Sequence, residues 1–253
     1  MAGKDFFDRP LYKITNYIYW FLTANIYFML LNVLLILFLT GTTEPSQINP
    51  GFYFMLFIVC LPLGPTFTAL LAVMGKLVRE KEVSITREYF RSLKQNFKQS
   101  MMAWFVVMLL LTVFSVDIYF FSTKASGAFF IPIFYAFIIV LLILTLYIFP
   151  IISRFYLKTT DVFKLSFYLT IKKYKVTFFN IFAVAVSVYV VRFIPFAILF
   201  FGSVVSYALM YYEKDVLKEL EEKIISSSNT GGEEKEEVED EGEKQDIEYT
   251  LKK

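Results

Sequence analysis

The side chains best placed to do chemistry are a few polar residues set inside long apolar runs. Asn25 and Asn32 stand seven residues apart, so on a helix they share nearly one face. Two amides there suit either hydrogen bonding across to a neighbouring helix or contact with a polar solute. Cys60-Leu61-Pro62-Leu63-Gly64-Pro65 puts two prolines and a glycine in an otherwise apolar stretch. Prolines leave helix carbonyls without an N–H partner. Those carbonyls could line a polar site, as in transporters with broken helices, or the segment could be a kink packed against its neighbours, with Thr66 and Thr68 satisfying the freed groups. Asp117 is the one carboxylate near the interior of an apolar run, and such a group suggests proton or ion coupling. Arg192 lies at the end of another run and offers an interfacial ion pair to it.

Other chemistry is poorly provided for. The chain has no histidine and one cysteine, so the commonest neutral-pH acid-base group and an intrachain disulfide are both missing. Cys60 has no CxxC partner and reads as a small packing residue. No phosphate loop, dinucleotide fingerprint, zinc-protease motif or nucleophile elbow occurs. The expectation is a protein that is not an enzyme, with no cofactor, no metal and no nucleic-acid partner.

The elements that would position these residues are membrane helices. Of 253 residues, 57% are hydrophobic and 30 are phenylalanine, while charges gather near the C-terminus. A span needs about 20 mostly apolar residues. Charge-free runs cover 14–43, 45–75, 99–116, 125–153, 176–191 and 193–212. They predict spans near 14–39, 52–74, 100–121 and 131–152, followed by two short spans or one kinked helix over 177–211. A single helix would hold Arg192 near the bilayer centre, at about 2.5–3.5 kcal/mol, and Pro195 would break it. Two spans are therefore preferred. The fold class is an all-α polytopic bundle of six spans, with five as the alternative.

Lysine and arginine set the orientation. The segment after the second span carries Lys76, Arg79, Lys81, Arg87, Arg91, Lys94 and Lys98. The segment after the fourth carries Arg154, Lys158, Lys164, Lys172, Lys173 and Lys175. With Lys4, Arg9 and Lys13 they predict a multi-pass cell-membrane protein whose N-terminus, basic segments and C-terminus are cytoplasmic. Ile85, Tyr89, Leu93 and Phe97 recur every four residues among these cations, and Phe163, Phe167, Ile171 and Tyr174 do likewise. Both patterns predict basic amphipathic helices in the membrane interface, against anionic headgroups. Arg87, Arg91, Lys94, Phe97, Lys98, Lys172, Lys173 and Lys175 are the candidate interface or partner-docking residues. The two segments also hint at an internal repeat. The transmembrane domain is taken as 1–212, a short amphipathic helix as 213–225, with Val216, Leu217, Leu220 and Ile224 on its stripe, and an acidic disordered tail as 226–253.

Three stretches together resemble the YesL-like family of bacterial integral membrane proteins. They are Leu30-Leu31-Asn32-Val33-Leu34-Leu35, Leu61-Pro62-Leu63-Gly64-Pro65-Thr66 running into Ala69-Leu70, and the basic segment from Tyr89 to Ser100 with Trp104 beyond it. The resemblance covers roughly residues 10–212 and leaves out the acidic tail. The family has no assigned biochemical function and is associated with ABC-type sugar uptake. The resemblance therefore implies an accessory or regulatory role beside sugar-transporter subunits. The alternative is a small transporter or channel acting through the Pro/Gly-broken second span.

Overall fold

The computed structural model describes residues 10–41, 50–123 and 129–223, and among these there is no strand. The helices are α1 (Pro10–Leu31), α2 (Val33–Gly41), α3 (Pro50–Cys60), α4 (Leu63–Glu80), α5 (Ile85–Ser122), α6 (Ile131–Arg154), α7 (Thr159–Lys172) and α8 (Tyr174–Phe193). A final helical stretch, α9 (Pro195–Lys223), opens with the 3-10 turn Pro195–Ala197. Among the described residues, five helices are long and apolar enough to cross a membrane, and the number is six if the bent α1–α2 pair is one span. The chain is a multi-pass α-helical membrane protein.

The helices begin and end where the chain's punctuation requires. Pro62 separates α3 from α4, yet the two pieces count as one 30-residue candidate span, Gly51–Glu80. α4 stops at Lys81, the one non-glycine residue with positive φ (61°) among those described, whose N–H closes the last turn on the Leu77 carbonyl. Residues 177–211 form two helices, parted at Ile194 (φ −124°, ψ 86°) just before Pro195. The first predicted span is not continuous. It bends by 69° at Asn32, which lies between α1 and α2 with no proline or glycine to announce the break.

α4 is the inner helix. Gly64, Thr66, Thr68, Leu70, Leu71, Met74 and Leu77 are all buried on it. Around it pack Ala24 of α1 and Ile85 and Tyr89 of α5. Phe149 of α6 meets Phe67 and Trp104 edge-on, at centroid distances of 5.9 and 5.6 Å, a preferred aromatic geometry. Outward-facing residues are large and apolar: Leu34, Phe54, Phe178, Tyr189 and Phe196 are exposed. In water this would be an aggregating surface; against lipid tails it is the expected one.

Polar side chains join the helices at depth. Asn25 donates from Nδ2 to the Ile198 carbonyl (3.0 Å), and its Oδ1 accepts from the Ser203 N–H (3.3 Å). Ser203 Oγ donates to the Phe21 carbonyl at 2.7 Å. This close approach of α1 and α9 requires Gly202, where a Cβ would lie 2.6 Å from Asn25 Oδ1. Tyr147 and Thr177 share a hydroxyl hydrogen bond of 2.8 Å between α6 and α8.

The two predicted amphipathic stripes match the buried faces only in part: Ile85 and Tyr89 are buried and Leu93 packs against the core, whereas the later stripe residues turn outward. On α5 the buried residues are Ile85, Tyr89, Ser92, Asn96 and Ser100, so a step of four, then three, then four, then four follows the helix. Phe97 is exposed. On α7 the buried residues are Val162, Ser166 and Leu169, while Phe167 and Ile171 are exposed, as is Tyr174 where α8 begins. The inner face mixes small polar residues with Ile85, Tyr89, Val162 and Leu169, while Phe97, Phe167 and Ile171 stay on the outer one. The suggested repeat also differs in shape: α5 runs unbroken from its basic segment into its span, whereas the second segment breaks at Lys173.

The chain divides after Tyr212 into two compact units. In the described part of the second, Val216, Leu217 and Leu220 are buried, and Lys223 pairs with Glu219 at 2.7 Å. Ile224 and the acidic tail lie outside the described residues.

Replacing Asn25 by Ala removes two interhelical hydrogen bonds and is expected to cost about 1–2 kcal/mol. Asn32→Ala removes the bonds donated to Thr66 Oγ1 and the Phe28 carbonyl together with one unsatisfied buried acceptor, and is expected to cost about 1 kcal/mol. Equilibrium unfolding in detergent of the two variants checks both values.

Candidate functional site

Two places concentrate polar groups inside the first unit: the break between α3 and α4, and a cleft at the end of the bundle where α4 and α6 finish and α5 begins.

At the break several backbone carbonyls are engaged by groups of the chain itself. The Leu61 N–H reaches the Ile58 carbonyl at 3.2 Å. Trp104 of α5 donates its Nε1–H to the Cys60 carbonyl at 2.7 Å. Thr66 Oγ1 donates to the Pro62 carbonyl (2.8 Å), with a second contact to that of Leu63 (3.1 Å). Thr68 Oγ1 donates to the Gly64 carbonyl at 2.9 Å. Asn32 adds a donated bond to Thr66 Oγ1, 2.8 Å, and another to the Phe28 carbonyl, also 2.8 Å. Tyr89 closes the next turn by donating to the Thr66 carbonyl at 3.1 Å.

Gly64 is there for contact, not for conformational freedom. A Cβ at Gly64 would lie 2.4 Å from Trp104 Cβ and 2.6 Å from its Cγ. Gly64, Pro65 and Thr66 are buried. The segment is packed against α5, and its carbonyls are engaged by side chains.

The remaining sequence-predicted residues are scattered. Asn25 belongs to the α1–α9 contact, and Asn32 to the break. Asp117 is partly buried near the end of α5, whereas Arg192 is exposed in the last turn of α8. They form no ion pair with each other among the described residues, so the interfacial pairing expected between them is not made. Arg87, Arg91, Lys94, Lys98, Lys172 and Lys175 are exposed, and Lys173 is partly so. Lys172 lies over the Tyr168 ring at 4.9 Å.

The cleft was not foreseen from the sequence. Its volume is about 300 Å³, and its walls carry Lys76, Arg79, Arg91 and Arg154 facing Glu80 and Glu88. Ser92, Gln95, Asn96 and Ser153 supply neutral polar groups, and Tyr156 stands at the rim. Glu88 is the hub. Lys76 Nζ lies 3.0 Å from its carboxylate and Arg91 3.9 Å, while Lys76 also reaches Glu80 at 3.8 Å. The four cations come from three helices: the last turns of α4 and α6, and the second turn of α5. The sequence signal was present, since these cations had been counted for orientation. Nothing in their spacing showed that they converge.

Gly64→Ala is expected to destabilise the fold by about 1–3 kcal/mol, because neither Trp104 Cβ nor the helix backbone can yield easily. Trp104→Phe keeps most of the packing but leaves the Cys60 carbonyl without its donor, at a cost of about 1–3 kcal/mol. Unfolding in detergent, followed by tryptophan fluorescence for the glycine variant and by circular dichroism for both, checks these values. In comparisons with known proteins, no curated protein and no solved structure matches the chain. Residues 15–118 are similar to a family described as a protein of unknown function, DUF624, a stretch that holds the α3–α4 break, Asn25, Asn32 and Trp104 but not Arg154 or Arg192.

Proposed function

We propose that this chain is a non-catalytic protein of the cell membrane, of YesL-like type, that serves as an accessory or regulatory component of a carbohydrate uptake system of the ABC class. Its N-terminus and basic segments face the cytoplasm. The sugar-uptake link comes from the resemblance carried by residues 30–35, 61–70 and 89–104. The observation that favours an accessory role over an autonomous transporter is the packing of the α3–α4 break. A translocation path through a broken span needs carbonyls turned toward a polar cavity. Here the Cys60 carbonyl is held by Trp104, the Pro62 and Gly64 carbonyls accept from Thr66 and Thr68 within α4, and Gly64 has no room beside it.

The outer faces of α5 and α7 suit docking. Phe97, Phe167, Ile171 and Tyr174 are exposed next to Lys94, Lys98, Lys172 and Lys175. Large apolar groups beside lysines match a surface of anionic headgroups, with the rings in the interface and the ammonium groups at the phosphates.

Purification in mild detergent is expected to recover sugar-transporter subunits, and a deletion strain to take up the sugar more slowly. Recovery of the protein alone together with normal uptake would overturn the proposal. Liposomes holding only this protein are expected to be impermeable to sugars; a flux that Asp117→Asn changes would restore the transporter alternative. Orientation is checked in a Cys60→Ser background. A membrane-impermeant thiol reagent on intact cells should label Ser126→Cys and should label Glu82→Cys only after permeabilisation.

A further inference from the structure

We propose that the cleft between the ends of α4 and α6 and the start of α5 is a binding site for a phosphate group, carried either by a lipid headgroup or by a phosphorylated small molecule. The inference stands apart from the sugar-uptake reading and uses none of its premises.

The argument begins with charge. Four cationic side chains face two carboxylates in one cleft, a formal excess of two positive charges. Bringing like charges from three separate helices into one concave surface is costly unless something offsets the repulsion. Glu88 and Glu80 offset part of it, and Glu88 is already shared between Lys76 and Arg91. A phosphate monoester carries about 1.5 to 2 negative charges near neutral pH and three acceptor oxygens, so it can bridge several of these cations at once.

Donor chemistry points the same way. Three of the four cations are arginines, whose planar forks match phosphate oxygens in pairs. Gln95 and Asn96 on the wall add amide N–H donors. The volume of about 300 Å³ lies at the small end of the range for ligand sites, enough for a phosphate and a short organic group. Tyr156, three-quarters exposed at the rim, gives that organic group a ring face to rest on. The cleft also lies just past the charge-free runs 45–75 and 125–153 at the ends of α4 and α6, a position that a lipid headgroup can reach.

The test uses the full chain in nanodiscs. In one arm the bilayer is phosphatidylcholine alone and inorganic phosphate is titrated against the unfolding temperature. In the other, phosphatidic acid is titrated into the bilayer. A saturable rise in the first arm identifies a soluble phosphorylated ligand, and a rise in the second alone identifies a headgroup; either supports the proposal. Arg79→Gln and Arg154→Gln should weaken the response about tenfold, the loss expected for one charge-assisted pair. Arg91→Gln, whose side chain is 58% exposed and so removable without harm to packing, should weaken it as well. Lys218→Gln, outside the cleft and 72% exposed, should leave it unchanged. No saturable response in either arm overturns the proposal. So does a response that a folded Arg91→Gln protein keeps in full, or one that Lys218→Gln reduces equally.

Discussion

Two interrupted helices meet through one side-chain hydrogen bond, from Asn32 to Thr66. Asn32 is the residue at which α1 gives way to α2, and Thr66 is the residue whose N–H and hydroxyl both donate to the Pro62 carbonyl in the first turn of α4. In lipid a broken helix has no water to fall back on, so each freed carbonyl needs a donor from the chain itself. This bond lets both breaks draw on one small polar cluster. Trp104 brings in the third helix by donating to the Cys60 carbonyl, and Tyr89 the next turn by donating to that of Thr66. The positions of α1, α4 and α5 follow from this shared obligation more than from apolar packing, because lipid tails solvate leucine as well as another leucine does.

The charged end of the bundle obeys a different constraint. There the groups border water, screening is available, and ion pairs such as Lys76–Glu88 are individually weak. What is unusual is their convergence. The turn closed by Lys81 returns the chain so that the end of α4 and the start of α5 lie side by side, and Arg154 arrives from α6. A buried polar joint at one level and a concave cationic surface at another divide the bundle into a part that is packed and a part that can receive something.

Much of this was legible in the sequence and some was not, for physical reasons. Charge-free runs located the spans, because hydrocarbon excludes charge whatever the fold. Pro62, Gly64 and Pro65 announced the break in the second span, and Pro195 the division at Ile194, because proline acts locally. The bend at Asn32 had no such signal. It sits in Leu-Leu-Asn-Val-Leu-Leu and is supported by a residue 34 positions away. The apolar stripes divide between core and outer surface, since Ile85 and Tyr89 are buried while Phe97 and Phe167 are exposed. Facing lipid, Phe97 and Phe167 are at ease outside, and Ser92, Asn96 and Ser166 take the inner face. The Asp117–Arg192 pairing was inferred from shared depth, and depth does not place two side chains on facing helices.

The length of α5 has a mechanical meaning. At 38 residues it is about 57 Å long, nearly twice the hydrocarbon thickness of a bilayer. Much of it is therefore a rod standing clear of the apolar zone. Trp104 sits about 12 Å along that rod from Asn96, wedged against Gly64. A helix is stiff along its axis, so a load on the protruding half is carried to the wedge and not absorbed on the way. The rod is a lever, and its fulcrum is the contact of Trp104 with Gly64, beside the break in the second span.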